Sequence, residues 1–338
     1  MKLRFTIFTL TLISILIFSG CQTAAPASTA PVAPVTAPPA TTPAVTTPPI
    51  TTPAAPVSTN PSIQFPLTLK DDAGRSVTLN AVPQRIVSLS PSNTEMVFAL
   101  GLGDRLVGVT KFCNYPEAAK TKEVLGGFSD VNTEKVIAAQ PDLILASSLH
   151  VAKVVPALEQ LNIPVFVIKA GTIDAILDRI NQLGNMTGRA RESQKLTADL
   201  RERVEAVSNK IGSSKGVKPR ILYVTWHDPI WTSGDDTIIG ELIARTGGTN
   251  IASELKGYAT ITLETVVDRN PQIIIVMSSM GDNSSLDYIN TEPRLQVTEA
   301  HKNKQVHLID ADIFGRTTPR IVDGLEQLAK IVQPELFK

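Results

Sequence analysis

The residues able to do chemistry are few and scattered. The four histidines, His150, His227, His301 and His307, are dispersed, and none has the spacing to a carboxylate or cysteine that a metal site requires. There is no G-x-S-x-G turn for a nucleophilic serine, no H-E-x-x-H helix and no Walker A phosphate loop. The fragment G-L-G-D-R-L from Gly101 lacks the third glycine of a dinucleotide loop and follows a helical pattern, so it reads as a helix C-cap. No enzyme, metal or cofactor site is expected. What stands out is aromatic surface. Aromatics are only 5% of the chain, yet Tyr223, Trp226 and Trp231 fall together beside His227, at the C-terminal end of a predicted parallel strand. Open α/β sheets bind ligands at such ends.

Composition narrows the partners. With 32 basic and 32 acidic side chains among 338 residues, the net charge is zero and no field recruits nucleic acid. At the N-terminus Lys2 and Arg4 precede an apolar run from Phe5 to Phe18, then Ser19, Gly20 and Cys21. That pattern is a secretory signal, too short to span a bilayer at the ~20 residues a helix needs. The ending F-S-G-C resembles a bacterial lipobox, with Phe18 in place of the usual leucine, and implies lipidation at Cys21. The other cysteine, Cys113, is then left as an unpaired thiol. From Gln22 to Gln64 no residue is charged, and Ala, Pro, Thr, Val and Ser dominate. Such a linker favours polyproline II at ~3.1 Å per residue and reaches on the order of 100 Å.

The expected organisation is a signal peptide over 1–20, a lipid-anchored linker over 21–62, an N-terminal lobe over 63–187, a bridging helix over 188–213 and a C-terminal lobe over 214–338. Short β-rich runs alternate with helical patterns, so the fold class is α/β: two Rossmann-like lobes with mainly parallel sheets. Strands are expected at 85–89, 106–110, 142–146, 165–168, 220–225, 272–277 and 306–309. Helices are expected at 93–100, 133–139, 151–161, 238–246 and 263–268, with a last one from about Arg320. His301 is placed in a loop and His307 in a strand. One long helix between the lobes carries Leu196, Leu200, Val204 and Val207 at helical spacing.

The two halves echo each other. R-I-V-S-L-S from Arg85 parallels R-I-L-Y-V-T from Arg220, and N-T-E-K-V-I-A-A-Q-P-D-L-I-L parallels T-L-E-T-V-V-D-R-N-P-Q-I-I-I. Glu134 and Glu264 occupy equivalent places, each in the first turn of a short helix where a carboxylate suits the helix dipole.

From about Val82 onward the chain resembles the ABC-importer binding proteins whose two α/β lobes are bridged by one rigid helix, a class serving cobalamin, haem and siderophores. The resemblance rests on R-I-V-S-L-S-P-S-N-T-E from Arg85, V-G-V-T-K-F-C-N-Y-P from Val107, G-G-F-S-D-V-N-T-E-K-V from Gly126, P-D-L-I-L-A from Pro141 and D-I-F-G-R-T-T-P-R from Asp312. Within that class the likeness is to the cobalamin binders. It implies cleft aromatics at Phe112, Phe128, Trp231 and Tyr258, a polar cleft pair at Asp312 and Arg316, and docking carboxylates at Glu134 and Glu264. The implied partners are a corrinoid, a permease dimer with its ATPase, and the extracytoplasmic face of the cell membrane through the anchor at Cys21. Ser147 stands where the likeness offers a further tryptophan, and Phe112 and Phe128 replace rings that carry a polar atom.

Other readings of the same residues stay open at this level. Phe112, Phe128, Tyr258 and Tyr115 could be core residues, and Asp312 with Arg316 a surface ion pair. A haem carrier would ask for an axial Tyr or His, which Tyr223, His227 or Tyr258 could supply; a ferric-siderophore carrier would ask for arginines, of which only Arg316 and Arg320 lie together. A structural surface lipoprotein would also suit the long stalk.

Overall fold

Strands apolar on both faces need helices on both sides, and the chain is built on that rule. The computed structural model describes residues 64–213, 216–278 and 281–338. The expected signal peptide, Cys21 and the linker lie outside the described residues. In the first lobe a hairpin of β1 (Leu67–Lys70) and β2 (Ser76–Leu79) precedes β3 (Ile86–Ser88), α1 (Pro91–Ala99), β4 (Leu106–Val109), β5 (Glu123–Val124) and α2 (Thr133–Ala138). Then come β6 (Leu143–Ser147), α3 (Val154–Glu159), β7 (Val165–Ile168) and α4 (Ile173–Met186). The strands form an all-parallel sheet in the order β5-β4-β3-β6-β7. Its β7 edge is covered rather than left open: Asp72 N donates to Val167 O and Val167 N to the Asp71 carboxylate, both at 3.1 Å.

Helix α5 (Ala190–Gly212) leads into the second lobe. There the order is β8 (Arg220–Val224), β9 (Trp226–His227), β10 (Ile230–Ser233), α6 (Ile238–Arg245), β11 (Thr249–Asn250), β12 (Tyr258–Thr260) and α7 (Leu263–Arg269). It ends with β13 (Ile273–Ser278), α8 (Ser284–Thr291), α9 (Glu299–Lys302), β14 (Val306–Asp310), α10 (Ala311–Phe314) and α11 (Ile321–Val332). A second parallel sheet runs β11-β8-β13-β14, and β9, β10 and β12 make a small antiparallel sheet. The sequence expectation contains neither that small sheet nor α4, and His301 lies in α9 rather than in a loop.

The internal repeat extends to single hydrogen bonds. Arg85 donates from Nε to Gln140 O at 3.0 Å and from its guanidinium to Ala139 O at 2.6 Å, satisfying carbonyls left over at the end of α2. Arg220 does the same for α7, donating to Arg269 O at 3.2 Å and Asn270 O at 3.0 Å. Both helices end on a left-handed residue before the proline, Gln140 at φ 47° and Asn270 at φ 45°.

Helix α5 is held along its length. Leu200, Val204 and Val207 are buried in an apolar cluster that runs from Phe166 and Leu183 in the first lobe to Leu325 and Leu328 in the second. Helix α4 approaches so closely at Gly184 that an added Cβ would collide with Ser193 of α5. On the other side Arg203 binds Glu326 through two bonds, at 2.9 and 2.8 Å, and Asp323 at 2.6 Å, both on α11. Among the described residues no helix is long and apolar enough to cross a membrane. Because Leu200 is buried in the apolar cluster that both lobes share, Leu200→Ala should cost about 2–5 kcal/mol. A urea series would show this as a lower midpoint at unchanged slope.

Candidate functional site

Parallel strands deliver their following loops to one edge, and four strands of the first lobe converge in this way. A cavity of about 510 Å³ is lined by Ser90 to Asn93 after β3, Phe112 after β4, Ser147 and Ser148 at the end of β6, and Lys169 and Ala170 after β7. Phe128 from the preceding loop and Gly315 to Thr317 of the second lobe complete it. The α1 wall is pinned: Ser90 Oγ accepts from Asn93 N at 3.3 Å, and Asn93 Nδ2 donates to Ala146 O at 3.0 Å. Thr94 Oγ1 lies 3.1 Å from the buried Cys113 thiol, the free cysteine of the described residues.

The two lobes are joined at this cavity by charge. Glu95 of α1 has a side chain only 2% exposed, and its partners come from the other lobe: Arg320 through two bonds of 2.7 Å and Arg316 at 3.1 Å. Arg316 also binds Asp312 at 2.6 Å and donates to Asn114 Oδ1 at 2.7 Å, while Asn114 Nδ2 donates to Asp312 at 2.7 Å. Arg320 lies over the Tyr115 ring at 3.9 Å. Burial alone would lower the Arg320 pKa, but the Glu95 carboxylate more than offsets it and the group stands above its ordinary value. The Asp312–Arg316 pair is therefore part of a partly buried five-residue network, not an isolated surface pair. Glu95 and Asn114 were not singled out from sequence. The one signal for Glu95 was its place directly before the apolar run M-V-F-A-L, and Asn114 had none.

The aromatic candidates divide into two groups. Phe112 and Phe128 line the cavity; Trp231 and Tyr258 do not. Trp231 pairs across strands with Trp226 on one side and Thr260 on the other, and Ser233 pairs with Tyr258, so alternation puts Trp226, Trp231 and Tyr258 on one face of the small sheet. That face is open: the three rings are 46%, 40% and 46% exposed. Partial desolvation by its surroundings still raises the Tyr258 pKa. Tyr223 is different, since it is a core residue whose hydroxyl meets Met277 Sδ at 3.1 Å and whose pKa is driven up by burial. His227 stacks between Trp226 at 4.6 Å and Tyr288 at 5.2 Å.

Among the described residues no histidine, tyrosine, methionine or cysteine lines the cavity. His150 lies just behind it, bonded through both ring nitrogens. Among the described residues no group of three His, Cys, Asp or Glu could hold a metal ion. The cavity offers aromatic faces, serine and threonine hydroxyls and one exposed ammonium, Lys169; the guanidinium of Arg316 is taken up by its carboxylates.

Glu134 and Glu264 are exposed in the first turns of α2 and α7, whose caps match: Asn132 accepts from Lys135 N, and Thr262 from Thr265 N. They differ in one respect, because Arg294 stands 3.5 Å from Glu264.

Residues 86–313 match the family described as Periplasmic binding protein. An uncharacterized ABC transporter substrate-binding lipoprotein of Bacillus subtilis is 31% identical over 280 residues, 81% of this chain and 88% of that protein. A cobalamin-binding protein of Halobacterium salinarum is 29% identical over 273 residues, 78% of this chain and 73% of its own. The crystal structure of the periplasmic vitamin B12 binding protein of Vibrio cholerae superposes with a TM-score of 0.67 at 28% identity, covering 76% of this chain and 99% of that one. Solved periplasmic haem-binding proteins share the fold.

The buried network carries its own test. Glu95→Gln removes the carboxylate from two guanidiniums that have little water to replace it, so the loss should be about 3–5 kcal/mol of stability. Thermal and chemical denaturation of the variant measure it; a change below about 1 kcal/mol would mean the network is screened like a surface pair.

Proposed function

This chain belongs to the periplasmic binding protein family, and on that premise we propose that it captures a corrinoid of the cobalamin class and hands it to the permease of an ABC importer. The observation that carries the corrinoid reading is the lining of the cavity. A corrin is a broad apolar plate fringed with amides and holds its cobalt without help from protein ligands. Phe112 and Phe128 supply faces for the plate, and Ser90, Ser92, Ser147, Ser148 and Thr317 supply hydroxyls for the fringe. The ligand is larger than the cavity, so its remainder would lie against the open aromatic face of Trp226, Trp231 and Tyr258.

Haem and ferric siderophores fit this lining less well. Haem iron is held by an axial His, Cys, Met or Tyr, and the described residues that line the cavity include none. An anionic siderophore needs uncompensated cations, yet Arg316 and Arg320 are engaged by Glu95 and Asp312. The B12-binding relatives by sequence and by structure support the same choice. We place the protein outside the cytoplasmic membrane, held through a lipid on Cys21, in keeping with its lipoprotein relative.

In this reading Glu134 and Glu264 meet the importer, one from each lobe, because two equivalent carboxylates on two pseudo-equivalent lobes can address two equivalent subunits. The Arg294 contact does not stand in the way, since an exposed pair is worth about 0–1 kcal/mol and exchanges readily.

Calorimetry against cobalamin, cobinamide, haem and a ferric siderophore tests the ligand. One corrinoid per chain is expected, and Phe112→Ala or Trp231→Ala should each weaken it by about 1–3 kcal/mol. A saturable haem signal with flat corrinoid titrations would overturn the corrinoid reading and leave the family standing. For docking, Glu134→Arg with Glu264→Arg should abolish uptake and importer-stimulated ATP hydrolysis while leaving ligand affinity intact. Normal transport by the double variant would remove these residues from the interface.

A further inference from the structure

His150 is 1% exposed and stands outside the cavity, yet it touches two of the segments that line it. Its Nε2 lies 2.7 Å from Phe128 O, an acceptor only, so Nε2 carries the proton and donates. Its Nδ1 lies 3.0 Å from Ser147 N, a donor only, so Nδ1 is bare and accepts. Ser147 Oγ is 3.1 Å from the same nitrogen. The ring also meets the Phe128 ring edge-on, at 5.4 Å and 84°. The arrangement is a capping box, S-x-x-H at Ser147 to His150, in which histidine takes the place usually held by Glu or Gln.

The Phe128 loop has few other ties. Its base is closed by Lys111 N to Gly126 O at 2.9 Å and Asn132 N to Leu125 O at 2.9 Å, and its turn by Gly127 N to Asp130 O at 3.2 Å. Phe128 itself, at the tip, is secured through its carbonyl by His150.

We propose that His150 is a positioning residue for the ligand cavity, a proton-sensitive tie that holds Phe128 and Ser147 in register only while its imidazole is neutral. The inference rests on the proposed ligand site through Phe128. A second proton must go to Nδ1, where it would face the Ser147 N–H at 3.0 Å, donor against donor. Ser147 Oγ, 3.1 Å away, can accept that proton, but the Ser147 N–H then loses its acceptor, so the ring would shift toward the hydroxyl and the register between Ser147 and the Phe128 carbonyl would change. The charged groups on neighbouring segments are Asp130 on the Phe128 loop, Lys153 on the turn after His150 and Lys169 across the cavity. All three are exposed, and none is bonded to the ring among the described residues. Burial lowers the His150 pKa below the ordinary 6.5, against an opposing pull from the Phe128 carbonyl. The sign follows. The neutral tie is complete above 6.5 and is lost as the pH falls through the lowered folded value.

The test uses the purified whole chain, with cyanocobalamin as probe, from about pH 8 to about pH 5, spanning the imidazole range. Wild type should lose affinity on the order of tenfold or more toward the acid end. His150→Gln keeps an ordinary capping-box residue that can accept from Ser147 N–H and donate to Phe128 O without titrating, so it should bind as wild type does at the alkaline end and stay flat. His150→Ala should bind weakly throughout. An equal acid loss in His150→Gln, a flat wild-type profile, or undiminished binding by His150→Ala would overturn the assignment. Absence of cyanocobalamin binding by wild type at the alkaline end would instead count against the ligand reading. In that case NMR of the unliganded protein decides on the tie. Loss of Ser147 amide protection as the His150 ring titrates, absent in His150→Gln, supports it, and unchanged protection sinks it.

Discussion

A carboxylate with almost no contact with water cannot remain charged alone, and Glu95 meets that requirement only by taking both arginines from the opposite lobe. The helix that carries Glu95 also presents Ser90 and Asn93 to the cavity, and the segment that carries Arg316 presents Gly315 and Thr317. One electrostatic necessity therefore sets the distance between two walls of the site. Arg320 is further fixed by the Tyr115 ring beneath it, and Asn114 closes the network by donating to Asp312 and accepting from Arg316.

The bridging helix supports the same geometry from behind. Its buried face continues the apolar core from one lobe into the other, and Arg203 ties its flank to α11, the helix that follows Arg320 in the chain. Bending this helix would break backbone hydrogen bonds and open the Gly184–Ser193 approach together.

The lining is asymmetric in a manner that the repeat does not foretell. The lobes repeat each other down to the arginine that caps α2 and α7, yet the first lobe contributes a concave cavity and the second a flat antiparallel sheet with three open rings. Equivalent elements lie on the outer helices that carry Glu134 and Glu264; divergent ones lie where the ligand would be held. Such a division would suit the proposed delivery of an asymmetric ligand to two equivalent subunits.

The class of the fold was legible in the chain because the strands are near-continuous apolar runs ended by helix signals; Val165–Ile168 has the expected bounds and α5 lies within the expected 188–213. The repeat around Glu134 and Glu264 was equally plain, since first-turn glutamates and a proline after a left-handed residue are local requirements. Short strands such as Trp226–His227 and Tyr258–Thr260 were not, because two or three residues carry no period and pair only once the chain has brought them together. Nor could sequence separate Tyr223 from Trp226, three positions apart: one lies in a central strand beneath helices, the other on an open sheet face. Phe112, Phe128 and Arg316 were named from motifs, but Glu95 and His150 matter through partners at distant positions. Local sequence determines periodicity and caps, whereas burial of a charge or the tautomer of an imidazole is decided by what the folded chain sets against it.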